Sequence, residues 1–309
     1  MKDTRISRRR FIKLACATGA LGLVASYPVF IERYIIVVNR YRIPVPNLPD
    51  AFAGFKIVHL TDLHYGSLVP LGIIRYVVSK TNQISRDVVV CTGDYVHERR
   101  ATEQIDGVWP VLAGLSARAG VYSILGNHDH WADTDRSQYW LDETGQNLRH
   151  RTASIARDGQ RIWLVGAGDL WEDHVSLDDL LADIPDEDCR IVLAHNPDTA
   201  DTDFSARVDL MLSGHTHGGQ VNLPFVGPPV LPVRNKTYSS GLKFSPRGVP
   251  VFISKGIGWA VYPVRFNCLP EIAVLELVTA TESAKSVIAH TAGPFRGWNT
   301  ANSRTRRGE

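Results

Sequence analysis

Short apolar runs rich in β-branched residues alternate with amphipathic stretches along most of this chain, and that alternation restricts the folds open to it. Residues 56–60 and 87–91 have the length and composition of buried strands. Between them, residues 70–82 place Ile74 and Val78 on one side of a helix. Strands that alternate with helices predict an α/β or α+β domain in which helices cover the sheets.

The same pattern continues through the remaining sequence. A second helix is predicted over residues 103–117, and further strands over residues 121–125, 161–165, 190–194, 208–212, 251–254 and 272–277. Pro44, Pro46 and Pro49 mark an extended linker before the core. The predicted organisation is a signal or membrane anchor over residues 1–31, a linker and the strand that leads into the core over 32–55, a folded core domain over 56–278 and a disordered tail over 279–309.

Charge is distributed unevenly along the chain. There are 34 basic and 32 acidic residues, but the basic excess lies at the two ends, and residues 27–278 contain 23 basic and 29 acidic residues. This acidic core lacks the positive surface that binds phosphates of nucleic acids, so no nucleic-acid partner is expected. Four scattered cysteines without a C-x-x-C pair predict neither a disulfide scaffold nor a structural zinc site.

The first thirty residues have the form of an export signal. Residues 7–13 read Ser-Arg-Arg-Arg-Phe-Ile-Lys and precede 18 residues without a charge, 14–31. A basic segment followed by an apolar one is typical of a secretory signal, and the paired arginines resemble the twin-arginine type. Eighteen apolar residues would also suffice for a membrane anchor. Because positive flanks stay in the cytoplasm, we expect the core at the outer face of the cytoplasmic membrane, in the periplasm or in the cell wall.

Five short motifs with histidine or carboxylate side chains follow predicted strands. They are Asp62-Leu63-His64, Gly93-Asp94, Gly126-Asn127-His128-Asp129, Ala194-His195-Asn196 and Gly214-His215-Thr216-His217. Layered α/β folds build ligand sites at strand ends, so we expect these side chains to converge. Residues i and i+2 of an extended segment point the same way, which would let Asp62 and His64 share an ion. His215 and His217 would either converge likewise or diverge in a turn to serve two ions.

The ligand types narrow the choice of metal. Imidazole and carboxylate donors without thiolate favour manganese, iron or zinc over calcium, which takes oxygen donors. The candidate ligands are too many for one tetrahedral site and suit two ions that share a bridging group: Asp62, His64, Asp94, Asn127, His195, His215 and His217. Asp94 is the natural bridge, because a carboxylate has two oxygens to divide between two ions.

The five motifs in this order resemble the signature of the calcineurin-like metallophosphoesterases, and the resemblance extends over about residues 56–277. Residues 214–220 and 265–271 further resemble the exported or membrane-associated YkuE/YaeI-type branch of that family. The resemblance implies a four-layer αββα sandwich. It also implies two divalent transition-metal ions, with manganese expected first and iron or zinc as alternatives.

The resemblance also implies a role for each site residue. One ion would be held by Asp62, His64, Asp94 and His217, and the other by Asp94, Asn127, His195 and His215. His128 would face the substrate as a catalytic residue, and Asp129 behind it would fix the orientation of the imidazole. Family members often carry a second acid shortly after the Gly-Asp motif, and His97 stands there in this chain, so we expect no carboxylate at that position to support Asp94.

The function that the resemblance implies is hydrolysis of a phosphodiester or a phosphomonoester by a hydroxide that bridges the two ions. His128 would stabilise or protonate the leaving alkoxide. The apolar N-terminus favours a substrate linked to lipid or cell wall, with the twin-arginine machinery and the membrane as further partners. The alternatives are a pyrophosphatase that acts on a nucleotide-activated lipid and a non-enzymatic interaction platform on the same fold. An amidohydrolase is disfavoured, because such enzymes carry a His-x-His motif near the beginning of the domain. In this chain Asp62-Leu63-His64 comes first and His215-Thr216-His217 lies near the end.

Other residues near the motifs are open to two interpretations. Arg265 would either contact a phosphate or hold a terminal loop, and His130 would either line the pocket or lie outside it. Trp131 and Trp140 are interpreted as packing aromatics. Cys91 lies in an apolar run and is expected to be a buried small residue.

Overall fold

Two six-stranded sheets dominate the computed structural model, which describes residues 7–279 and 290–291. The first sheet contains β1 (Val37–Val45), β2 (Lys56–Leu60), β3 (Val88–Cys91), β4 (Val121–Ser123), β11 (Glu271–Thr279) and β12 (His290–Thr291). Its spatial order is β12-β1-β11-β2-β3-β4. The second sheet contains β5 (Thr152–Arg157), β6 (Gln160–Gly168), β7 (Cys189–Ala194), β8 (Leu210–Ser213), β9 (Gly241–Phe244) and β10 (Pro250–Ile253). Its order is β5-β6-β7-β8-β10-β9.

Parallel pairing brings the motif-bearing strand ends to common edges. In the first sheet β2, β3 and β4 are parallel, and in the second β6, β7, β8 and β10 are parallel. The carboxyl ends of parallel strands lie at one edge of a sheet, where layered folds place their ligand sites. The five motifs follow β2, β3, β4, β7 and β8, so each sheet delivers part of the site.

Three apolar clusters separate four layers. The central cluster joins the two sheets through side chains such as Ile57 and Val90 from the first and Leu164 and Leu193 from the second. The second cluster packs α2 (Leu71–Gln83), α3 (Thr102–Leu112) and α4 (Asn127–Glu143) on the outer face of the first sheet. The third covers the second sheet with the short α5 (Leu177–Leu181), the 3₁₀ turn Pro197–Asp201 and loop residues. The predicted αββα sandwich is confirmed, with a fourth layer that is mostly loop.

The strands and helices agree with most of the predicted segments. The second helix ends at Leu112 and not near residue 117, because Gly114 and Leu115 leave it through two tight backbone turns. The helix α4 was not predicted, and it begins inside the Gly126-Asn127-His128-Asp129 motif. Part of the predicted linker is β1, which tolerates Pro44 because among the described residues its outer neighbour β12 pairs only near Asn39 and Arg40.

The N-terminal segment forms α1 (Arg8–Phe30), with Ser7 at its N-cap. Among the described residues, no helix combines the length and the apolar character needed to cross a membrane. The predicted tail lies outside the described residues, except for Thr279 in β11 and residues 290–291 in β12.

All four cysteines are described, and none of them forms a disulfide. Cys91 is buried, as predicted for a small apolar residue in a strand.

Candidate metal centre

Side chains from both sheets meet in two adjacent clusters of ligand atoms. Within each cluster the ligand atoms lie within 4.8 Å of one another. The first cluster consists of Asp62, His64 and His217, and the second of Asp94, His195 and His215. All six side chains are buried. This grouping coincides with the division of ligands that the sequence resemblance implies.

The atoms of each cluster have the spacing of ligands around one ion. In the first, His217 Nε2 lies 3.0 Å from His64 Nε2 and 3.2 Å from Asp62 Oδ1. In the second, His195 Nε2 lies 3.2 Å from His215 Nδ1 and 3.3 Å from Asp94 Oδ2. Two ligands at right angles, each about 2.1 Å from a metal, are about 3.0 Å apart. Each cluster therefore suits a single divalent cation.

The carboxylate of Asp94 connects the two clusters through one oxygen. Its Oδ1 accepts a hydrogen bond of 2.8 Å from the backbone N–H of His128, the second residue of α4. Its Oδ2 lies 3.5 Å from His64 Nε2 and 3.3 Å from His195 Nε2. The expectation of one oxygen for each ion is therefore corrected. The helix N-terminus engages Oδ1, and Oδ2 alone faces both clusters.

Left-handed backbone conformations aim most of these side chains. Five of the seven candidate ligands have positive φ: Asp62 (54°), His64 (50°), Asp94 (57°), His215 (67°) and His217 (52°). The sequence argument assumed an extended Asp62-Leu63-His64 segment, and that assumption is wrong. The side chains converge because the chain turns sharply after each strand. Such conformations cost about 1–3 kcal/mol each and persist where surrounding structure enforces them, most often at functional sites.

Two glycines permit the close approach of the motif loops. A Cβ atom at Gly126 would lie 2.4 Å from Asp94 Oδ1 and 2.8 Å from His195 Cε1. A Cβ atom at Gly214 would lie 2.3 Å from Asp62 Oδ2. Real side chains do not approach so closely, so the glycine in each motif is required by the packing of one ligand loop against another.

Buried charge favours a cation at this site: burial alone would lower the pKa of His195, but the neighbouring carboxylate of Asp94 outweighs it and raises that pKa to about 10. Burial raises the pKa of Asp62 to about 6 and lowers the pKa of His215 to about 3. Burial opposes ionisation of Asp94, but the neighbouring imidazoles of His195 and His128 outweigh it and hold the pKa of Asp94 well below its usual range. Burial also lowers the pKa of His64 and His217, and a neutral imidazole is the form that binds a metal. Buried carboxylates of this kind are paired with cations or coordinate metals.

Asn127 provides an independent test of the fit. It is the first residue of α4, it is buried, and its side-chain oxygen Oδ1 has no hydrogen-bond partner among the described residues. An unpaired buried amide oxygen costs about 1–3 kcal/mol. A hard divalent cation beside the second cluster would satisfy it, and carboxylate, amide and imidazole donors together suit manganese, iron or zinc. The residues present therefore fit the metal that the sequence implies.

The expected role of Asp129 is wrong. Its carboxylate accepts backbone hydrogen bonds from Asp94 (2.7 Å), Tyr95 (2.8 Å) and Gly126 (2.9 Å) and does not contact the His128 ring. Asp129 is therefore a structural clamp that joins the two motif loops. The His128 ring is oriented instead by its Nδ1–H, which donates 2.7 Å to the backbone oxygen of His97. Since Nδ1 is committed, Nε2 is the nitrogen left for substrate.

Histidine 97 occupies the space in which a second acid was expected. Its Nδ1 lies 3.4 Å from Nδ1 of His64, and its ring stacks on His128 with centroids 5.5 Å apart. His64 therefore meets an imidazole on its outer side, where metal-binding histidines usually donate to an oxygen. The sequence shows that His97 stands in place of the expected acid, but it does not predict the contact between His97 and His64.

The fully buried Arg265 holds a loop and does not line the cavity, and its guanidinium lies 3.5 Å from Nδ1 of the candidate ligand His217. It donates to the backbone oxygens of Lys255 (2.8 Å), Gly258 (3.0 Å) and Cys268 (3.1 Å). The interpretation of a loop anchor is therefore the one that the contacts favour. His130 likewise lies outside the pocket and pairs with Asp173 at 3.3 Å.

A cavity of about 510 Å³ opens above the two clusters. Trp131 lines it and packs on His128 with ring centroids 4.8 Å apart, so the interpretation of Trp131 as a packing aromatic is incomplete. Trp171 was not singled out in the sequence. It lines the cavity and meets the His215 ring edge-on at 4.6 Å. Nothing in its local sequence marked it, because its position depends on the loop after β6.

Comparison with known proteins identifies the class. The calcineurin-like phosphoesterase family matches residues 55–219. The chain is 35% identical to phosphodiesterase YaeI of Escherichia coli (strain K12), over 88% of this chain and 100% of that protein. It is 33% identical to the uncharacterized metallophosphoesterase YkuE of Bacillus subtilis (strain 168), over 88% of this chain and 98% of the relative. The chain belongs to the calcineurin-like phosphoesterase family. It is a metallophosphoesterase, a hydrolase of phosphate esters that depends on divalent metal ions.

We expect Gly126→Ala to abolish metal binding, because the added Cβ displaces Asp94 and His195. Gly72→Ala in α2 is the matched control, since a Cβ there meets nothing within 4 Å and alanine stabilises a helix by about 0.5–1 kcal/mol. Elemental analysis and thermal unfolding of both variants check this. A Gly126→Ala protein with its full metal content and unchanged melting temperature would contradict the packing argument.

Proposed function

We propose that this chain is a dinuclear phosphoesterase that hydrolyses a phosphodiester or phosphomonoester. The observation that supports two ions is the position of Asp94 Oδ2, between His64 Nε2 and His195 Nε2 at 3.5 and 3.3 Å. Asp62, His64 and His217 would hold one ion, and Asn127, His195 and His215 the other. When bound, two divalent ions activate water as the nucleophile and neutralise charge on the phosphate.

His128 has the position required of the group that assists the leaving alkoxide. Its Nδ1–H donates to the His97 carbonyl, so Nε2 is the nitrogen that would face the substrate, and the imidazolium form of His128 would give its Nε2 proton to the leaving alkoxide. The ring lies against His64 at 4.6 Å and against Trp131 at 4.8 Å, which restricts its rotation. A proton held at a fixed position in the transition state contributes typically 10²–10⁴ in rate.

The preference for a phosphodiester rests on the name of a relative. YaeI, which this chain covers over its whole length, is called a phosphodiesterase. Manganese is the proposed metal, with iron or zinc as alternatives, because the donor set mixes imidazole with oxygen ligands. A panel of mono-, di- and pyrophosphate esters assayed with each metal distinguishes these activities, including the alternative of a pyrophosphatase.

Export through the twin-arginine route is proposed from the sequence of residues 7–13. The paired Arg8 and Arg9 lie at the exposed beginning of α1. The route carries folded proteins, so the metal centre would be assembled before export. The enzyme would then act on substrate outside the cytoplasm, at the membrane or cell wall.

We expect Asp94→Ala to lose both ions and all hydrolytic activity, since its carboxylate faces both clusters. Asp158→Ala, a change at an exposed turn next to Arg157, is the matched control and should keep both ions. Elemental analysis of the purified proteins measures the metal content. Retention of two ions by Asp94→Ala would exclude the bridging role.

His128→Ala should keep both ions and the fold but lower kcat by about 10²–10⁴. The loss should be smaller for esters of nitrophenol than for alkyl esters, because nitrophenolate leaves without protonation. The exposed His174→Ala is the control and should behave as the wild type. Equal losses for good and poor leaving groups would assign His128 to charge stabilisation, and loss of metal would make it a ligand.

Replacement of Arg8 and Arg9 by lysine should retain the protein in the cytoplasm with full activity, because the twin-arginine receptor reads arginine and not positive charge. The change Arg5→Lys and Arg10→Lys alters the same number of basic residues outside the pair and should permit export. Cell fractionation and activity assays measure both. Unchanged export of the Arg8→Lys/Arg9→Lys protein would refute the twin-arginine assignment.

A further inference from the structure

The floor and the walls of the cavity differ in chemistry. The floor consists of metal-ligand side chains and His128. Among the described residues, the walls beyond them carry no Asp, Glu, Lys or Arg side chain, and most are apolar. They include Val221, Pro229, Val230, Ala260, Val261 and Val264. A substrate that carries charge beyond its phosphate would therefore find no charged side chain in these walls.

Two polar side chains in the walls, Thr216 and Gln220, are already engaged. Thr216 Oγ1 donates 2.7 Å to the backbone oxygen of Ser239. Gln220 Oε1 accepts from Ala260 N at 2.6 Å, and its Nε2 donates to Ala260 O at 3.0 Å and to Tyr262 O at 3.4 Å. The Gln220 contacts connect the two loops that form the walls. Because the polar groups of Thr216 and Gln220 are bonded to other parts of the protein, the walls present mainly apolar surface to the cavity.

The mouth of the cavity exposes further apolar side chains. Residues 223–227 form a tight turn between the wall residues Val221 and Pro229, in which Leu223 N donates to Gly227 O, and this turn carries the fully exposed Phe225. Val261 and Tyr262, which line the cavity, are 76% and 69% exposed. We call Phe225, Val226, Val230, Val261 and Tyr262 the apolar rim. Exposed apolar surface that surrounds a polar site marks contact with an apolar partner.

From this arrangement we infer that the substrate is a phosphate ester with a long hydrocarbon chain, taken directly from a lipid surface. The inference rests on the proposed phosphoesterase function and specifies its substrate class. The phosphate lies at the metal centre and the chain lies along the apolar walls. The apolar rim docks on the lipid surface, since it is continuous with those walls and lets the chain enter without crossing water.

A homologous series of p-nitrophenyl alkyl phosphodiesters tests the cavity, because every member has the same leaving group. We expect kcat/KM of the wild-type chain to increase about two- to fourfold for each methylene buried, from the methyl to the butyl and octyl esters. The variant Val221→Ser/Val264→Ser should reduce the ratio of octyl to methyl kcat/KM by about tenfold or more. Tyr76→Ser, at a half-exposed position on α2 away from the cavity, is the control and should keep the ratio.

The results separate this inference from the proposed function. Hydrolysis of all esters without dependence on chain length would overturn the inference and leave the phosphoesterase intact. Failure to hydrolyse both every ester of the series and the monoester p-nitrophenyl phosphate would overturn the proposed function itself. If Val221→Ser/Val264→Ser does not fold, the single change Val230→Ser at a 73% exposed position should still lower the ratio.

The rim is tested with the octyl ester placed in vesicles of phosphatidylcholine and phosphatidylglycerol or dispersed in detergent micelles. Phe225→Ser/Tyr262→Ser should lower hydrolysis in vesicles about fivefold or more relative to hydrolysis in micelles. Both side chains are exposed, so the fold should be retained. An equal rate ratio in the variant and the wild type would overturn lipid docking. A change from a defined oligomer to monomer in sedimentation would instead assign the rim to contact between copies of the chain.

Discussion

The position of one buried carboxylate, that of Asp94, determines much of the surrounding structure. The backbone N–H of Asp94 donates to the carboxylate of Asp129, and Oδ1 of Asp94 accepts from the backbone N–H of His128 in the first turn of α4. Oδ2 of Asp94 faces both ligand clusters. This arrangement requires α4 to begin at Asn127 and requires Gly126 to lack a side chain. The four-layer fold is the scaffold that brings the end of β3 within reach of loops from both sheets.

Recognition is divided between the floor and the walls of one cavity. The floor concentrates buried carboxylates and imidazoles, which suit bound divalent cations, and those cations would in turn attract an anionic phosphate. The walls come from the loops after β8 and before β11, and they contribute almost only apolar surface. If the substrate is the lipid phosphate ester that we propose, chemistry and substrate choice are carried by different segments. The motif loops are suited to any phosphate ester, whereas the wall loops would select its organic part.

Strain and packing explain why neighbouring motif residues have different roles. His128 and Asp129 are adjacent in sequence, but one faces the cavity and the other faces inward to three backbone amides. The first turn of α4 separates them by about 100°, so a carboxylate there does not orient its neighbour's ring. The prediction of a His128–Asp129 pair was wrong because it treated sequence neighbours as spatial partners. The His97 carbonyl, thirty-one residues away, performs that function.

The sequence alone determined the family, the αββα fold and the identity of the side chains that converge. Each strand-end motif with histidine or carboxylate is a short stretch of sequence. Both the motifs and their order along the chain can therefore be identified without knowledge of the folded geometry. Only the tertiary structure decided how those residues converge, through positive φ at Asp62 and His64, and which Asp94 oxygen faces both clusters. It also decided that Trp171 and the apolar rim surround the site. These features depend on contacts between loops that are distant in sequence, and no local pattern of residues records such contacts.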